Sequence, residues 1–137
     1  MTGWVIDSSL ALAWALPDER SARADGFWSE ITGDVGLFVP ALWWYEVVNA
    51  MVVARRRERL DEAASAEALE LLARLPLTVD PAEPRSVARS IEGVACSHQL
   101  SAYDAAYLEL ALRLGAGLAS LDSRLCDASR AAGLTIW

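Results

Sequence analysis

Apolar residues fall into two patterns along this chain. Short unbroken runs recur: WVI at 4–6, GLFVP at 36–40, PLTVD at 76–80, GLASL at 117–121 and LTIW at 134–137. They have the length of strands, and each is bounded by a charge, a glycine or a proline. Between them lie longer stretches with helical spacing. Ser8 or Ser9 is placed to cap the first of these, SLALAWAL, which Pro17 ends. A second helix is predicted over 17–31, followed by TGDVG as a loop. The segment 41–60, ALWWYEVVNAMVVARRRERL, has an apolar helical body and a basic tail. Asp61 opens the next helix, DEAASAEALELLARL. Two more follow, over 84–98 and over SAYDAAYLELALRLG, where Ser101 is placed to cap and Gly115 to stop. SRLCDASRAAG at 123–133 is the last. Continuously apolar strands separated by helices predict an α/β fold with a parallel sheet covered on both faces.

Composition narrows the class. With 137 residues the chain fits one domain, 1–137. It is 54% hydrophobic with a mean hydropathy of +0.23, which marks a core-forming protein. No apolar run reaches the roughly 18 residues of a membrane span, because Glu46 and Glu109 interrupt the best candidates. The N-terminus lacks the basic flank of a targeting signal, so a soluble cytoplasmic protein is expected. Cys96 and Cys126 match no metal or redox spacing and suit a reducing compartment, with pairing between them left open. The net charge is -7, and every basic residue is Arg. That balance argues against a broad basic surface for nucleic acid, but not against a local patch or a metal that neutralises acids.

Most of the 19 acids sit in polar runs and read as solvated. Four do not: Asp7 ends WVI, Glu46 lies in LWWYEVVNAMVV, Asp104 lies in AYDAAYLELAL, and Asp122 ends GLASL. An ionised carboxylate in apolar company is costly unless it is paired or binds metal. There is no Lys to pair with, and Asp7, Glu46 and Asp104 have no Arg within one helical turn. Asp7 and Asp122 are placed at the carboxyl ends of strands, where open parallel sheets bind ligands. Glu46 and Asp104 sit early in helices that reach the same rim. Four clustered carboxylates raise each other's pKa, and a divalent cation relieves the conflict. All-oxygen ligation favours Mg²⁺ or Mn²⁺. Asp122 also fits as a simple cap of the last helix.

These residues resemble a known family. VIDSS, then YEVVNA, then YDAAYLELAL, then the SLD–RL–DA–AG–I pattern near the end, are similar to the PIN domain, and most of all to the ribonuclease toxins of VapC-type toxin–antitoxin pairs. The resemblance covers nearly the whole chain. It implies a three-layer α/β/α sandwich around a mostly parallel sheet, an acidic cleft holding one or two Mg²⁺ or Mn²⁺ ions, and endonucleolytic cleavage of RNA. By position, Asp7, Glu46, Asp104 and Asp122 form the acid set, with Asp7, Asp104 and Asp122 as metal ligands. Ser9, Asn49 and Ser120 stand at supporting positions; Ser120 replaces a Thr common in relatives. The resemblance also implies a homodimer and an antitoxin whose peptide blocks the acidic site.

Other features stay open between readings. ARRRER puts Arg55, Arg56, Arg57 and Arg59 at the end of the Glu46 helix. Arg57, eleven residues past Glu46, falls about 20° from the same face on an ideal helix. RNA backbone contact, a dock for an acidic partner and simple complementarity to the helix dipole all fit Arg56 and Arg57. Trp43, Trp44 and Tyr45 are consecutive, so one helix face cannot bury all three; some are expected at an interface. His98 reads as a helix-end residue with no catalytic role. Two other classes compete. An aspartyl-phosphate enzyme wants a second Asp where Ser9 stands, or a late Lys. A non-catalytic PIN-like scaffold for RNA or protein needs none of the four acids.

Overall fold

Four strands pair side by side in one parallel sheet in the computed structural model, which describes residues 2–31 and 33–137. They are β1 (Gly3–Ile6), β2 (Gly36–Val39), β3 (Leu77–Val79) and β4 (Gly117–Ala119), in the spatial order β3-β2-β1-β4. Val5 of β1 stands opposite Phe38 of β2 on one side and Leu118 of β4 on the other. The chain therefore builds outward from β1 through β2 to β3, then returns to place β4 on β1's other edge. The order reverses between β1 and β4, so their carboxyl ends border the crevice where such sheets bind ligands.

The helices are α1 (Ser8–Ala15), α2 (Ala22–Glu30), α3 (Leu42–Arg56), α4 (Glu62–Ala73), α5 (Pro84–His98), α6 (Ala102–Leu114) and α7 (Ser123–Ala131). They fall into two packed groups. α1 contacts α2, α3 and α4, whereas α6 contacts α5, α7, β1 and β4. The predicted α/β architecture is the one observed. In α6 every residue from Ala105 to Ala111 is buried, as an apolar helix with no polar face requires. Val5, Ile6, Leu10, Trp43, Leu108 and Leu118 are among the fully buried core. Among the described residues, no helix is long and apolar enough to cross a membrane.

Burial of Glu109 in that helix needs compensation. Arg113, one turn on, donates to it through Nε at 2.9 Å and Nη2 at 3.0 Å. The same guanidinium reaches Asp80, just past β3, at 2.6 and 3.1 Å. The pair holds the Asp80 carboxyl below its usual range and ties α6 to the sheet edge.

Several boundaries differ from the sequence expectation. Asp7, not Ser8 or Ser9, caps α1, because its side chain is free to accept the Ser9 N–H. The segment predicted as one helix over 17–31 is two pieces. Pro17–Glu19 form a single 3₁₀ turn, and Ser21 caps a separate α2 by accepting from Ala24 N–H. Thr32, first residue of the TGDVG loop, lies outside the described residues. α3 stops at Arg56 instead of running to residue 60. There the Glu58 N–H bonds Arg55 O and the Arg59 N–H bonds Ala54 O, with Glu58 in the left-handed region at φ 57°. This is a Schellman end closed by a non-glycine residue. LTIW makes one parallel bridge, Ile136 to Leu118, and no strand. Its last ring turns aside instead: Trp137 packs edge-on against Trp4 and Phe27 at 6.2 and 5.3 Å.

The consecutive aromatics separate as a helix demands. Trp43 is fully buried, Trp44 is half-buried and packs edge-on against it, and Tyr45 is 78% exposed. Both cysteines are free thiols, Cys96 exposed and Cys126 buried.

Candidate active site

The crevice between the ends of β1 and β4 is a pocket of about 360 Å³. Asp7, Glu46, Asp104 and Asp122 all line it, although they stand on four separate segments of the chain. Ser8, Ser9, Glu19 and Tyr107 complete its polar wall.

Each acid is positioned by its own element. Asp7 follows β1 directly, and its backbone N–H continues the ladder to Ala119 O at 3.1 Å. Its side chain is 5% exposed and accepts from the Ser9 N–H on one oxygen and the Ser120 hydroxyl on the other. Burial pushes its carboxyl up, Ser120 and Ser9 pull it back, and the Asp122 charge adds to the rise. Asp122 caps α7 by accepting the Leu125 N–H at 3.0 Å. The capping role anticipated for it is thus real and coexists with its place in the pocket. Two serines lock the strand ends together. Ser9 Oγ accepts the Leu121 N–H at 3.0 Å, and Ser120 Oγ accepts the Asp122 N–H at 3.0 Å.

Glu46 lies in the second turn of α3. It accepts a hydrogen bond from the Tyr107 hydroxyl, which reaches across from α6. Burial raises the Glu46 carboxyl, the Tyr107 bond lowers it, and Asp7 and Asp104 raise it further. Burial and the Glu46 charge together hold the Tyr107 phenol far above its ordinary value, so it remains a donor. Asp104 sits in the first turn of α6, where Ser101 Oγ accepts its N–H at 3.1 Å. Burial raises its carboxyl first, then the Asp122 charge, and Arg124 counters them.

The remaining sequence candidates divide between the site and the surface. Ser9 and Ser120 stand inside the network just described. Asn49 is exposed and outside the pocket lining. Arg56 and Arg57 are exposed; Arg56 lines a separate shallow hollow with Val52 and Arg55, while Arg57 forms the cap of α3. Arg57 therefore stands at the helix end, where an ideal-helix projection no longer applies. Among the described residues, no three His, Cys, Asp or Glu side chains converge closely enough to hold an ion as they stand. Asp7 accepts on both oxygens, and Glu46 and Asp122 on one each, from protein donors, which fixes how these side chains are turned.

Four contributors escaped the sequence reading. Tyr107 is signalled only by its spacing, one turn past Asp104. Ser8 is signalled by adjacency to Asp7. Glu19 sits in the polar run PDER and carries no local signal. Arg124 is exposed and donates to Gln99 O at 3.2 Å, beside the start of α6.

Comparison with known proteins fits this arrangement. The PIN domain family model matches residues 4–131. Ribonuclease VapC3 of Pyrobaculum aerophilum is 31% identical over 123 residues, covering 90% of this chain and 92% of that protein. Ribonuclease VapC9 of Mycobacterium tuberculosis is 34% identical over 128 residues, covering 93% and 91%. The crystal structure of PAE2754 from Pyrobaculum aerophilum superposes with a TM-score of 0.71 at 25% identity, over 98% of this chain and 83% of that one. With the family model spanning nearly the whole chain and an acid pocket at the sheet's reversal point, this protein belongs to the PIN-domain family, among the VapC proteins.

Proposed function

We propose that this protein is a Mg²⁺- or Mn²⁺-dependent endoribonuclease, acting as the toxin of a type II toxin–antitoxin pair. The observation that carries the reading is the convergence of Asp7, Glu46, Asp104 and Asp122 on one pocket. Ribonuclease is the printed activity of the relatives named above. A cognate antitoxin and a homodimer are the partners this reading carries with it.

The donor set suits a hard divalent cation. Its acids are all oxygen donors, and burial together with mutual repulsion raises three of them. Asp7, Asp104 and Asp122 would hold the ion, with Glu46 beside them. When bound, such an ion lowers the pKa of a coordinated water and offsets charge on the phosphoryl oxygens. The protein's own groups do the rest. Ser9 and Ser120 fix both oxygens of Asp7 and clamp the ends of β1 and β4. Tyr107 keeps Glu46 turned into the pocket as an acceptor. Asp122 stays anchored on α7 through its cap bond.

The alternative is a non-catalytic RNA- or protein-binding scaffold. The two are separated by incubating partner-free protein with total RNA, with Mg²⁺ or Mn²⁺ and then with chelator, beside Asp104→Asn. Discrete products that need metal and vanish in the variant support the nuclease. Absence of cleavage and of Mn²⁺ binding by folded protein supports the scaffold.

A further inference from the structure

The pocket has an electrostatic difficulty as a place for RNA. Five carboxylates line it, counting Glu19, and among the described residues no basic side chain does; Arg124 stands outside the lining and offsets only part of the charge on Asp104. Glu19 is the exposed one of the five, so a cation among the other four leaves it at the mouth, the solvent side of the pocket. A negative charge there repels a phosphate backbone, which slows encounter and weakens binding.

One guanidinium is tied to that mouth. Arg59 donates through Nη2 to Glu19 Oε1 at 3.2 Å and through Nε to Asp18 Oδ2 at 2.7 Å. These bonds join residues about forty positions apart, from the end of α3 to the 3₁₀ turn after α1. The backbone turns sharply just before Arg59. Glu58 occupies the left-handed region, uncommon for a side chain of its size, and the Arg59 N–H folds back onto Ala54 O at 2.9 Å. The fates of the basic run thus diverge. Arg55 pairs loosely with Glu62 at 3.8 Å, and Arg56 and Arg57 project into solvent, while Arg59 alone is directed to the pocket wall.

We infer that Arg59 is a positioning residue of the pocket mouth, neutralising Glu19 and Asp18 so that an RNA phosphate backbone passes the rim to the acid site. The inference rests on the nuclease reading above and adds the component that lets an acidic cleft admit a polyanion. It also assigns the basic end of α3 a divided role, with Arg59 serving the site from a distance.

The test is a charge-restoration series in the full-length protein: unsubstituted, Arg59→Ala, and the triple variant Asp18→Asn, Glu19→Gln, Arg59→Ala. kcat and KM are measured on a short RNA that the unsubstituted protein cleaves, at two salt concentrations, with thermal melts alongside. Arg59→Ala is expected to raise KM roughly three- to fivefold, the scale of one partly exposed charge, more at low salt than at high. kcat should hold within about twofold, since a group at the mouth does not touch the reacting atoms. The triple variant should recover KM, because the uncompensated carboxylates are gone. A triple variant as impaired as Arg59→Ala would overturn the inference, whether Arg59 then proves a plain structural staple, marked by equally lowered melts, or a direct phosphate contact. If the unsubstituted protein cleaves no RNA, the nuclease reading itself fails and the inference falls with it. Cleavage with KM unmoved in Arg59→Ala defeats the inference alone.

Discussion

The Tyr107 hydroxyl donates to Glu46 Oε1, joining α6 to α3 across 61 residues of sequence. Tyr107 is 1% exposed, so Phe would fill the same core volume. What the hydroxyl adds is a fixed acceptor geometry for a carboxylate that burial and two neighbouring acids otherwise disfavour. Tyr107→Phe should therefore fold normally and cleave RNA roughly 10- to 100-fold more slowly, the usual cost of losing a residue that orients a site acid. Far-UV circular dichroism and single-turnover cleavage check the two halves. An unchanged rate would mean that Glu46 needs no such support.

The acid cluster should make the protein less stable at neutral pH than below it. Burial raises Asp7, Glu46 and Asp104 from ordinary values of 3.8, 4.5 and 3.8. A raised folded-state pKa means that the folded form binds the proton more tightly than the unfolded form. Stability from these groups then falls as pH rises from about 4 through the raised values, and the penalty is full above them. Asp104→Asn removes one such charge, so it should melt higher than the parent at pH 7 while losing cleavage. The gap should close as pH approaches 4. Calorimetry across pH 4–7 tests this; equal melting at pH 7 would show that Asp104 is not held in conflict.

How far this could be read from sequence depended on whether a residue's signal was local. Asp7 and Asp122 were visible because each ends an apolar run, and Glu46 and Asp104 because each interrupts an apolar helix. Glu109 also interrupts an apolar helix, and it is the structure that sets it apart, by pairing it with Arg113 one turn along α6. The missed parts are all long-range. Glu19 sits in a polar run that reads as solvent-facing, and only the fold turns its 3₁₀ segment onto the pocket. Tyr107 reads as core, and Arg59 as one more residue of a basic tail. The helix over 17–31 failed for a local reason: Pro17 opens a 3₁₀ turn, and Ser21 offered a better cap four residues later.

The Asp80–Arg113–Glu109 triad predicts a stability effect independent of the site. Glu109 is 4% exposed and faces no other cation in the bonds it makes. Arg113→Met keeps the aliphatic stem but strands a buried carboxylate, a change that typically costs about 3–5 kcal/mol. The double variant Arg113→Met, Glu109→Gln should recover much of this. Denaturant unfolding of both tests the point, and equal losses in the two would show that packing, not charge, is at stake.

Gly3 tests the close approach of β1 and β2, where it pairs with Gly36. It has φ 155°, and a Cβ there would stand 2.1 Å from the Gly36 carbonyl oxygen in the neighbouring strand. That obstacle is backbone in a paired sheet and cannot rotate away. Gly3→Ala should destabilise the fold by more than about 2 kcal/mol. Thermal melts of Gly3→Ala beside Gly93→Ala, where a Cβ would meet nothing within 4 Å beyond its own helix backbone, separate the close approach from any general effect of replacing glycine.

The last prediction concerns the ion itself, read without catalysis. If Mn²⁺ settles among carboxylates that repel one another, binding must stabilise the fold, and at a hundredfold excess over Kd the gain is about 2.7 kcal/mol. The gain should grow as pH rises and fade toward pH 4, because protons compete with the ion for the oxygens of Asp7, Glu46 and Asp104, whose carboxyls burial all pushes up. Asp7→Asn should lose most of it, since Asp7 is the most deeply buried of the four and is held by Ser9 and Ser120. Tyr107→Phe should lose less, because Glu46 lies beside the proposed ligands and not among them. Thermal melts with and without Mn²⁺ across these variants would rank the acids by what they contribute. A shift of the same size in Asp7→Asn as in the parent would place the ion elsewhere.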